Sequence, residues 1–388
     1  MAQQRTPPEL NDDATGEVLL RIPPDSSAYL VGASKVCKLW RRIIISDPDF
    51  TRRYRELHPT PPLLGFFHDT DHGYQFFPTM AACPFPRSPP DCNHWWRSLD
   101  CCPHRPLKAC DCRHGRVLLR DARTFLVWDP ITDVLEELHK PHIPGSTPSY
   151  AAAMVLCAAA GCDHSGCHGG PFLVVFVGGD RRSVHGCVYS SESRSWGTPV
   201  SLHLGRGYTT ESMDSKRGAL AGDDAFFTLN SGDMILKYDL GKNCLSAIDT
   251  VVGHGWKSLV MPMDDGSLGL ASIKFSHLCL WSRKVNPKGF AEWVQCRVIR
   301  LDKLLPITTS CFRACVIGFA EGVGVMFVRT ESVDTEPSTF MIELKSGRVR
   351  KVKEFGHYFE NVLPFMSFYT PGSVNSTLPL PVEKINHS

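Results

Sequence analysis

The first 57 residues place their apolar side chains at helical spacing. Val18 and Ile22 fall on one face of a predicted first helix, which Asn11 or Asp12 can cap. The prolines at 23–24 end that helix, and a second helix is predicted from about residue 26. Residues 50–57 add a further turn or short helix. A third helix, ended by the Asp-Pro pair at 47–48, is predicted from an apolar stripe formed by Val36, Trp40, Ile43 and Ile44.

From residue 61 onward the apolar positions form short runs between glycines, prolines and polar turns. Residues 225–227 and 234–240 predict one hairpin, and residues 268–273 and 277–281 predict another. A loosely repeated unit of roughly 40 to 60 residues, without a long helix, is typical of a propeller with four-stranded blades. The fold class is therefore predicted as mainly β, with a three-helix N-terminal module followed by a β-propeller of about six blades.

The composition is that of an ordinary globular protein: 43% of the residues are hydrophobic, 21% are charged, and the net charge is +2. This weak net charge gives no reason to expect a nucleic-acid or membrane partner. The chain starts without an apolar leader segment, so we expect the protein in the cytoplasm, the nucleus or both. Its 16 cysteines are then expected to be mostly reduced thiols that pack as small apolar groups.

Four segments of the helical part resemble an F-box in their order and spacing. They are residues 10–13 (Leu-Asn-Asp-Asp), 17–24 (Glu-Val-Leu-Leu-Arg-Ile-Pro-Pro), 36–44 (Val-Cys-Lys-Leu-Trp-Arg-Arg-Ile-Ile) and 46–50 (Ser-Asp-Pro-Asp-Phe). The resemblance continues over nearly the whole chain. Segments similar to plant F-box proteins, especially the expanded grass families, are residues 60–67, 112–119, 127–132, 188–192, 301–306, 318–321 and 367–370.

The resemblance implies an F-box helical module at residues 8–57, an F-box-associated propeller-like domain at residues 61–370 and an irregular tail at residues 371–388. It also implies a substrate receptor of a Skp–cullin–F-box ubiquitin ligase, which holds an unidentified target protein and performs no chemistry of its own. No cofactor is expected, and the sequence contains no nucleophile elbow, His-Glu-x-x-His or phosphate-loop motif. The residues expected to contact the Skp-type adaptor are Leu10, Val18, Leu19, Leu20, Ile22, Pro23, Val36, Cys37, Lys38, Trp40, Arg41 and Ile44.

Several departures from the F-box pattern fall in the adaptor-binding helices. Asn11 replaces the usual proline, Ala14 stands where leucine is usual, and Gly16 lies inside the first helix at a cost of about 1 kcal/mol relative to alanine. Lys35 stands where an apolar residue is usual. A degenerate copy that no longer binds an adaptor is therefore one alternative. A propeller with its own small-molecule or hydrolytic site is another.

The helical part also carries a basic run, which is either a solvated helix face or a surface complementary to an acidic adaptor. The F-box resemblance favours the second interpretation. Nucleic-acid binding is disfavoured because no base-stacking aromatic residues accompany the charges. The nearby residues of opposite charge are expected to be only Asp47 and Asp49. The run consists of Lys35, Lys38, Arg41, Arg42, Arg52, Arg53 and Arg55.

Two stretches are rich in cysteine and histidine. The spacing in the first departs from the two-pair pattern of zinc knuckles and suits a simple turn equally well, although the set could supply four zinc ligands. The second is irregular too, so both are expected to be free of metal. The first stretch contains Cys157, Cys162, His164, Cys167 and His168, and the second contains His94, Cys101, Cys102, His104, Cys110, Cys112 and His114.

Overall fold

The structure is a computed structural model. It describes residues 11–24, 27–70, 73–79, 107–121, 123–143, 150–164, 166–179, 183–204, 217–229, 234–251, 258–305, 312–332, 335–352, 359 and 361–368. Leu10 and the tail at 371–388 lie outside these ranges. The described part is mainly β, as predicted. None of its helices combines the length and the apolar character needed to cross a membrane.

Four helices, not three, open the described chain: α1 (Asp12–Leu20), α2 (Ser27–Ser34), α3 (Lys38–Ser46) and α4 (Pro48–Leu57). Asn11 caps α1, because its side-chain oxygen accepts a hydrogen bond from the Ala14 N–H at 2.7 Å. Residues 50–57 belong to a ten-residue helix that starts with Pro48, at a position where proline loses no helical hydrogen bond. Because Cys37 caps α3, Val36 lies in the preceding turn and not on the helical stripe predicted for it.

Six antiparallel sheets follow the helices. The two predicted hairpins are confirmed as β13 (Asp224–Leu229) with β14 (Met234–Asp239) and as β17 (Leu268–Lys274) with β18 (His277–Val285). A short helix, α5 (Leu301–Leu304), connects the last two sheets. The first blade contains β1 (Leu63–Thr70), β2 (Gly73–Pro78) and β24 (Leu363–Met366), and the second contains β3 (Lys108–Arg113), β4 (Arg116–Arg120), β5 (Thr124–Asp129) and β6 (Val134–His139). The third contains β7 (Tyr150–Cys157), β8 (Phe172–Gly179), β9 (Ser183–Ser190), β10 (Ser195–Trp196) and β11 (Val200–His203), and the fourth contains β12 (Ala219–Ala221), β13 (Asp224–Leu229), β14 (Met234–Asp239) and β15 (Cys244–Asp249). The fifth contains β16 (Ser258–Pro262), β17 (Leu268–Lys274), β18 (His277–Val285) and β19 (Ala291–Arg300), and the sixth contains β20 (Phe312–Ala320), β21 (Val325–Ser332), β22 (Thr335–Glu343) and β23 (Val349–Lys351).

These sheets form a six-bladed β-propeller, in agreement with the predicted blade number. Six buried apolar clusters each fill the space between two successive blades, so the clusters run around the whole ring. Phe125 of the second blade, for example, packs edge-on against Phe176 of the third. The ring is closed where β1 pairs with β24, with Phe66 opposite Pro364. Each sheet is therefore buried on both faces, which explains why apolar residues occupy consecutive positions in middle strands such as β8.

A seventh apolar cluster holds the helices together. Leu19 of α1 and Ile44 of α3 are fully buried in it. Phe368, which follows β24 in the chain, enters the same cluster and meets the Tyr54 ring edge-on with 6.2 Å between ring centroids. The Tyr54 hydroxyl donates a hydrogen bond to the Ile22 carbonyl at 2.8 Å. The helices are thus attached to the propeller through the segment that follows its closing strand.

Candidate functional site

The residues predicted to contact an adaptor divide into a buried and an exposed group. Leu19, Leu20 and Ile44 lie in the helical core with at most 3% of their surface exposed, so they support the helices and offer no docking surface of their own. Trp40, predicted as a core residue, is only half-buried and packs at the edge of the core, as does Ile22. The exposed members of the predicted set are Val18, Pro23, Val36, Cys37, Lys38 and Arg41.

Exposed apolar and basic side chains occur in α2, in the turn that follows it and at the start of α3. We call this set the α2–α3 corner and define it by Tyr29, Lys35, Val36, Lys38 and Arg41. The aromatic ring and the valine are 61% and 63% exposed, respectively. None of the three cations forms an ion pair within the part of the chain that the structure describes. Tyr29 was not among the predicted residues, because its position in the short second helix carries no clear periodic signal.

Three other members of the basic run, Arg42, Arg52 and Arg53, form ion pairs, and their partners include Asp12, Glu17 and Glu56 in addition to the expected Asp49. Arg42 pairs with Asp12 of α1 at 2.5 Å, and Arg53 of α4 pairs with Glu17 of α1. The hydrogen bond from Arg53 and its charge hold the pKa of Glu17 below its usual value. These pairs line a groove of about 590 Å³ between α1, α3 and α4. They tie the helices together, and the three cations of the α2–α3 corner remain without an ion pair among the described residues.

Four charged side chains that the sequence analysis did not single out converge at the inner strands of the propeller. Asp111 and Arg113 belong to β3, Arg217 precedes β12, and Glu321 follows β20. Arg113 donates two hydrogen bonds to the Glu321 carboxylate, at 2.7 and 3.0 Å. The Arg217 Nε donates to Asp111 at 3.1 Å, and the other oxygen of Asp111 accepts from the Val155 N–H at 3.0 Å. We call this set the channel quartet.

The channel quartet contains two positive and two negative side chains, so its charges balance. The Asp111 and Arg113 side chains are 0% and 2% exposed, whereas that of Glu321 is 26% exposed. Burial raises the pKa of Glu321, but Arg113 and Arg217 together hold it below the usual 4.5. A carboxylate that stays ionised in this way is a poor general acid or base near neutral pH. The signal that could have revealed the set is the presence of charges within or beside otherwise apolar inner strands.

The end of β7 and the loop that follows it bring together four of the five residues of the first cysteine- and histidine-rich stretch. The ligand atoms of Cys157, Cys162, His164 and Cys167 all lie within 4.8 Å of one another. The Cys162 and Cys167 sulfurs are 3.4 Å apart, and the Cys167 sulfur is 3.5 Å from Nδ1 of His164. All three thiols are free. We call these four residues the Cys/His cluster.

Local turn geometry builds the Cys/His cluster. Gly161 and His164 have φ values of 67° and 60°, in the left-handed region that is typical of turns. The His164 ring stacks on His114 with 3.9 Å between centroids and 12° between planes. Nδ1 of His114 accepts a hydrogen bond from the Cys157 N–H at 3.1 Å. Burial lowers the pKa of His114 to about 2, so this ring is neutral.

The same loop contacts both neighbouring blades and the helices. His168 Nδ1 lies 2.9 Å from a carboxylate oxygen of Asp129, in the second blade, and Nε2 lies 3.3 Å from the Ser367 hydroxyl. Arg55 of α4 lies against Gly166, where an added Cβ would meet the guanidinium group. The loop therefore lies where the helices, the second and third blades and the segment after β24 meet.

The second cysteine- and histidine-rich stretch forms no comparable cluster among the described residues. Cys110 and Cys112 lie in different apolar clusters, and burial raises the pKa of both thiols. Their environment is that of small core residues. His94, Cys101, Cys102 and His104 lie outside the described residues.

No family model and no curated protein match the chain. Among solved structures, the chain is similar to the extracellular domain of a one-component system of B. thetaiotaomicron (12% identity, TM-score 0.33), a protein from Lactobacillus plantarum (12%, 0.37) and Kuenenia stuttgartiensis hydrazine synthase (14%, 0.36). These likenesses cover 64%, 63% and 64% of this chain and span 27%, 69% and 66% of the other chains. At such TM-scores they carry no argument about function, and the propeller assignment rests on the sheet topology of this chain.

Proposed function

We propose that the protein is a non-catalytic substrate receptor. Its helices dock on a Skp-type adaptor, which connects it to a cullin, and its propeller holds a target protein for ubiquitin transfer. The observation that carries the proposal is the α2–α3 corner, where the exposed side chains of Tyr29 and Val36 accompany three cations without ion pairs in the described part of the chain. The F-box-like order of the helical residues supports the same function.

The corner combines the two properties that docking on an acidic, partly apolar partner requires. Burial of a valine or tyrosine side chain at an interface contributes about 1.5 to 3 kcal/mol. Cations such as Lys38 and Arg41 speed the encounter with an acidic surface more than they raise the final affinity. The buried residues Leu19 and Ile44 hold α1 and α3 in place behind this surface.

Two of the departures from the F-box pattern are compatible with adaptor binding. Asn11 caps α1 and so offsets part of the destabilisation caused by Gly16 in the same helix. Lys35 is exposed at the α2–α3 corner, where its charge adds to the basic surface and leaves the helical core intact. Both observations favour a working adaptor site over a degenerate copy.

The catalytic alternative requires titratable groups that converge on an accessible site. Among the inner strands that the structure describes, the charged side chains that come together are those of the channel quartet. Their carboxylates and guanidinium groups form ion pairs with one another. The paired state of these groups supports the non-catalytic proposal.

The proposal is tested by measuring the binding of a purified Skp-type adaptor to the purified full-length chain by biolayer interferometry. Val36→Asp should weaken binding at least tenfold, because a buried charge replaces apolar contact. The matched control is Val134→Asp on β6, a valine that is also about half exposed (51%) but lies on the propeller. Absence of wild-type binding at micromolar concentrations, or an equal loss in both variants, would contradict the proposal.

A further inference from the structure

The Cys/His cluster has the residue types of a metal site, and its ligand atoms lie as close together as those of a metal site do. We infer that Cys157, Cys162, His164 and Cys167 bind one structural Zn²⁺ ion. In a tetrahedral site with Zn–S bonds of about 2.3 Å and Zn–N bonds of about 2.1 Å, neighbouring ligand atoms lie roughly 3.5 to 3.8 Å apart. The 3.4 and 3.5 Å separations from the Cys167 sulfur to Cys162 and to His164 are close to these values.

The chemistry of the four ligands selects zinc. Three thiolates and one imidazole form a closed tetrahedral set of the structural kind, with no position left open for a substrate. Magnesium and calcium prefer oxygen ligands and are disfavoured by sulfur. The alternative use of these thiols, a disulfide between Cys162 and Cys167, needs an S–S distance of about 2.05 Å, whereas the sulfurs are 3.4 Å apart.

The surroundings hold the ligands in a metal-binding arrangement before any ion arrives. The Cys162 sulfur accepts a hydrogen bond from the His164 N–H at 3.4 Å, a contact that stabilises a thiolate. The stacking of His164 on His114 fixes the plane of the ligating ring, and the hydrogen bond from the Cys157 N–H fixes His114 in turn. Preorganisation of this kind raises metal affinity because the ligand side chains lose little conformational freedom when the ion binds.

A positive side chain lies beside the site, where it would offset the negative charge of the metal-bound cluster. Three thiolates, a neutral imidazole and Zn²⁺ carry a net charge of −1. Arg55 of α4 is half-buried against Gly166, the residue that precedes Cys167. Its Nε is buried with no hydrogen-bond partner among the described residues. Arg55 thus places a cation from the helices against an anionic metal centre in the propeller.

The position of the site indicates what the metal does. Cys167 is followed by His168, which contacts Asp129 of the second blade and Ser367 of the segment that leads to the helical core. Zinc would therefore fix a loop that joins the third blade to the second blade, to α4 and to the residues after β24. Loss of the metal should loosen the attachment of the helices while leaving the six blades assembled.

The first test measures zinc in the full-length chain after expression with added zinc and a wash with a weak chelator under reducing conditions. We expect one zinc ion per chain by mass spectrometry of the metal content. Cys162→Ser should lose at least nine-tenths of it, and Cys244→Ser, which changes an exposed thiol of β15, should retain it. Wild-type protein without zinc, or equal zinc in both variants, overturns the inference.

The second test needs no cysteine variant and so does not depend on variant folding. Wild-type protein stripped of metal under reducing conditions is titrated with Co²⁺. We expect the visible absorption bands of tetrahedral cobalt and a thiolate charge-transfer band that saturates at one equivalent, and displacement of the cobalt by Zn²⁺. Hydrogen exchange in α4 should slow on metal addition, while exchange in β17 and β18 should not change. An octahedral cobalt spectrum, or a disulfide between Cys162 and Cys167 in the reduced protein, would overturn the assignment.

Discussion

Arg113 and Glu321 are 208 residues apart in the chain, yet the guanidinium group of one donates two hydrogen bonds to the carboxylate of the other. They belong to the second and sixth blades, which share no apolar cluster because the first blade lies between them. Arg217 extends the contact to the fourth blade through Asp111. The channel quartet thus joins alternate blades across the ring, whereas apolar packing joins successive blades around it.

We expect Glu321→Ala to lower the free energy of unfolding by about 3 kcal/mol, because it leaves the Arg113 guanidinium buried without its carboxylate. The measurement is urea unfolding followed by tryptophan fluorescence. Asp302→Ala is the control, since it removes an exposed pair with Arg300 and should cost less than about 1 kcal/mol. Equal effects of the two substitutions would show that the quartet contributes no more to the free energy of unfolding than a surface ion pair does.

The Glu321 carboxylate should also make the free energy of unfolding depend on pH. Burial raises the pKa of Glu321, yet Arg113 and Arg217 hold it below 4.5, the value in the unfolded chain. Its stabilisation is therefore complete above about pH 4.5 and is lost as the pH falls through the lower folded-state value. Unfolding free energies measured from neutral pH to about pH 3 should fall less steeply for Glu321→Gln than for the wild type. A slope unchanged by the substitution would exclude Glu321 as the titrating group.

Phe368→Ala should detach the helices from the propeller. Removal of a buried phenylalanine costs about 3 to 5 kcal/mol, and the ring it contacts, Tyr54, belongs to the helical core. Limited proteolysis should then cut within α1–α4 at least tenfold faster, with no change in the blades. Phe290→Ala, at a phenylalanine that is 69% exposed, should leave the digestion pattern unchanged. Protection of the helices in Phe368→Ala would mean that other contacts attach them.

Asn11→Ala should destabilise the helices by about 1 kcal/mol, because the Ala14 N–H loses its acceptor. Asn11→Asp should restore the stability, since aspartate caps a helix about as well as asparagine. Thermal melts followed by far-UV circular dichroism would compare the three proteins. If the aspartate variant is as unstable as the alanine variant, the side chain acts in some way other than capping.

Much of the fold follows from local sequence signals. The Asn11 cap, the proline at the start of α4 and the short apolar runs that form β13–β14 and β17–β18 all act over a few residues, so they can be interpreted without the rest of the chain. The blade number follows from chain length divided by the period of the repeat. The exposure of Val36 was missed because its helical spacing to Trp40 suggested a continuous stripe, whereas the Cys37 cap starts the helix after it.

The sites were harder to predict because they depend on contacts that sequence spacing does not show. The Cys/His cluster converges because left-handed residues such as Gly161 and His164 fold the loop back on itself, and that geometry makes an irregular spacing compatible with four ligands. The channel quartet combines residues from three blades, and only ring closure brings them together. Leu19 and Ile44 fit the F-box pattern, but the pattern alone does not distinguish a residue that supports a surface from one that forms it.

The closure of the ring by β24 also sets an order of events during synthesis. The ribosome makes α1–α4 and β1 first, but the partner strand of β1 and the aromatic side chain of Phe368 emerge more than 290 residues later. Until then the helical core lacks one of its rings, and β1 has an unpaired edge. A nascent or truncated chain should therefore present loosely packed helices to chaperones and proteases, and only a chain with a completed ring carries a fully packed helical core.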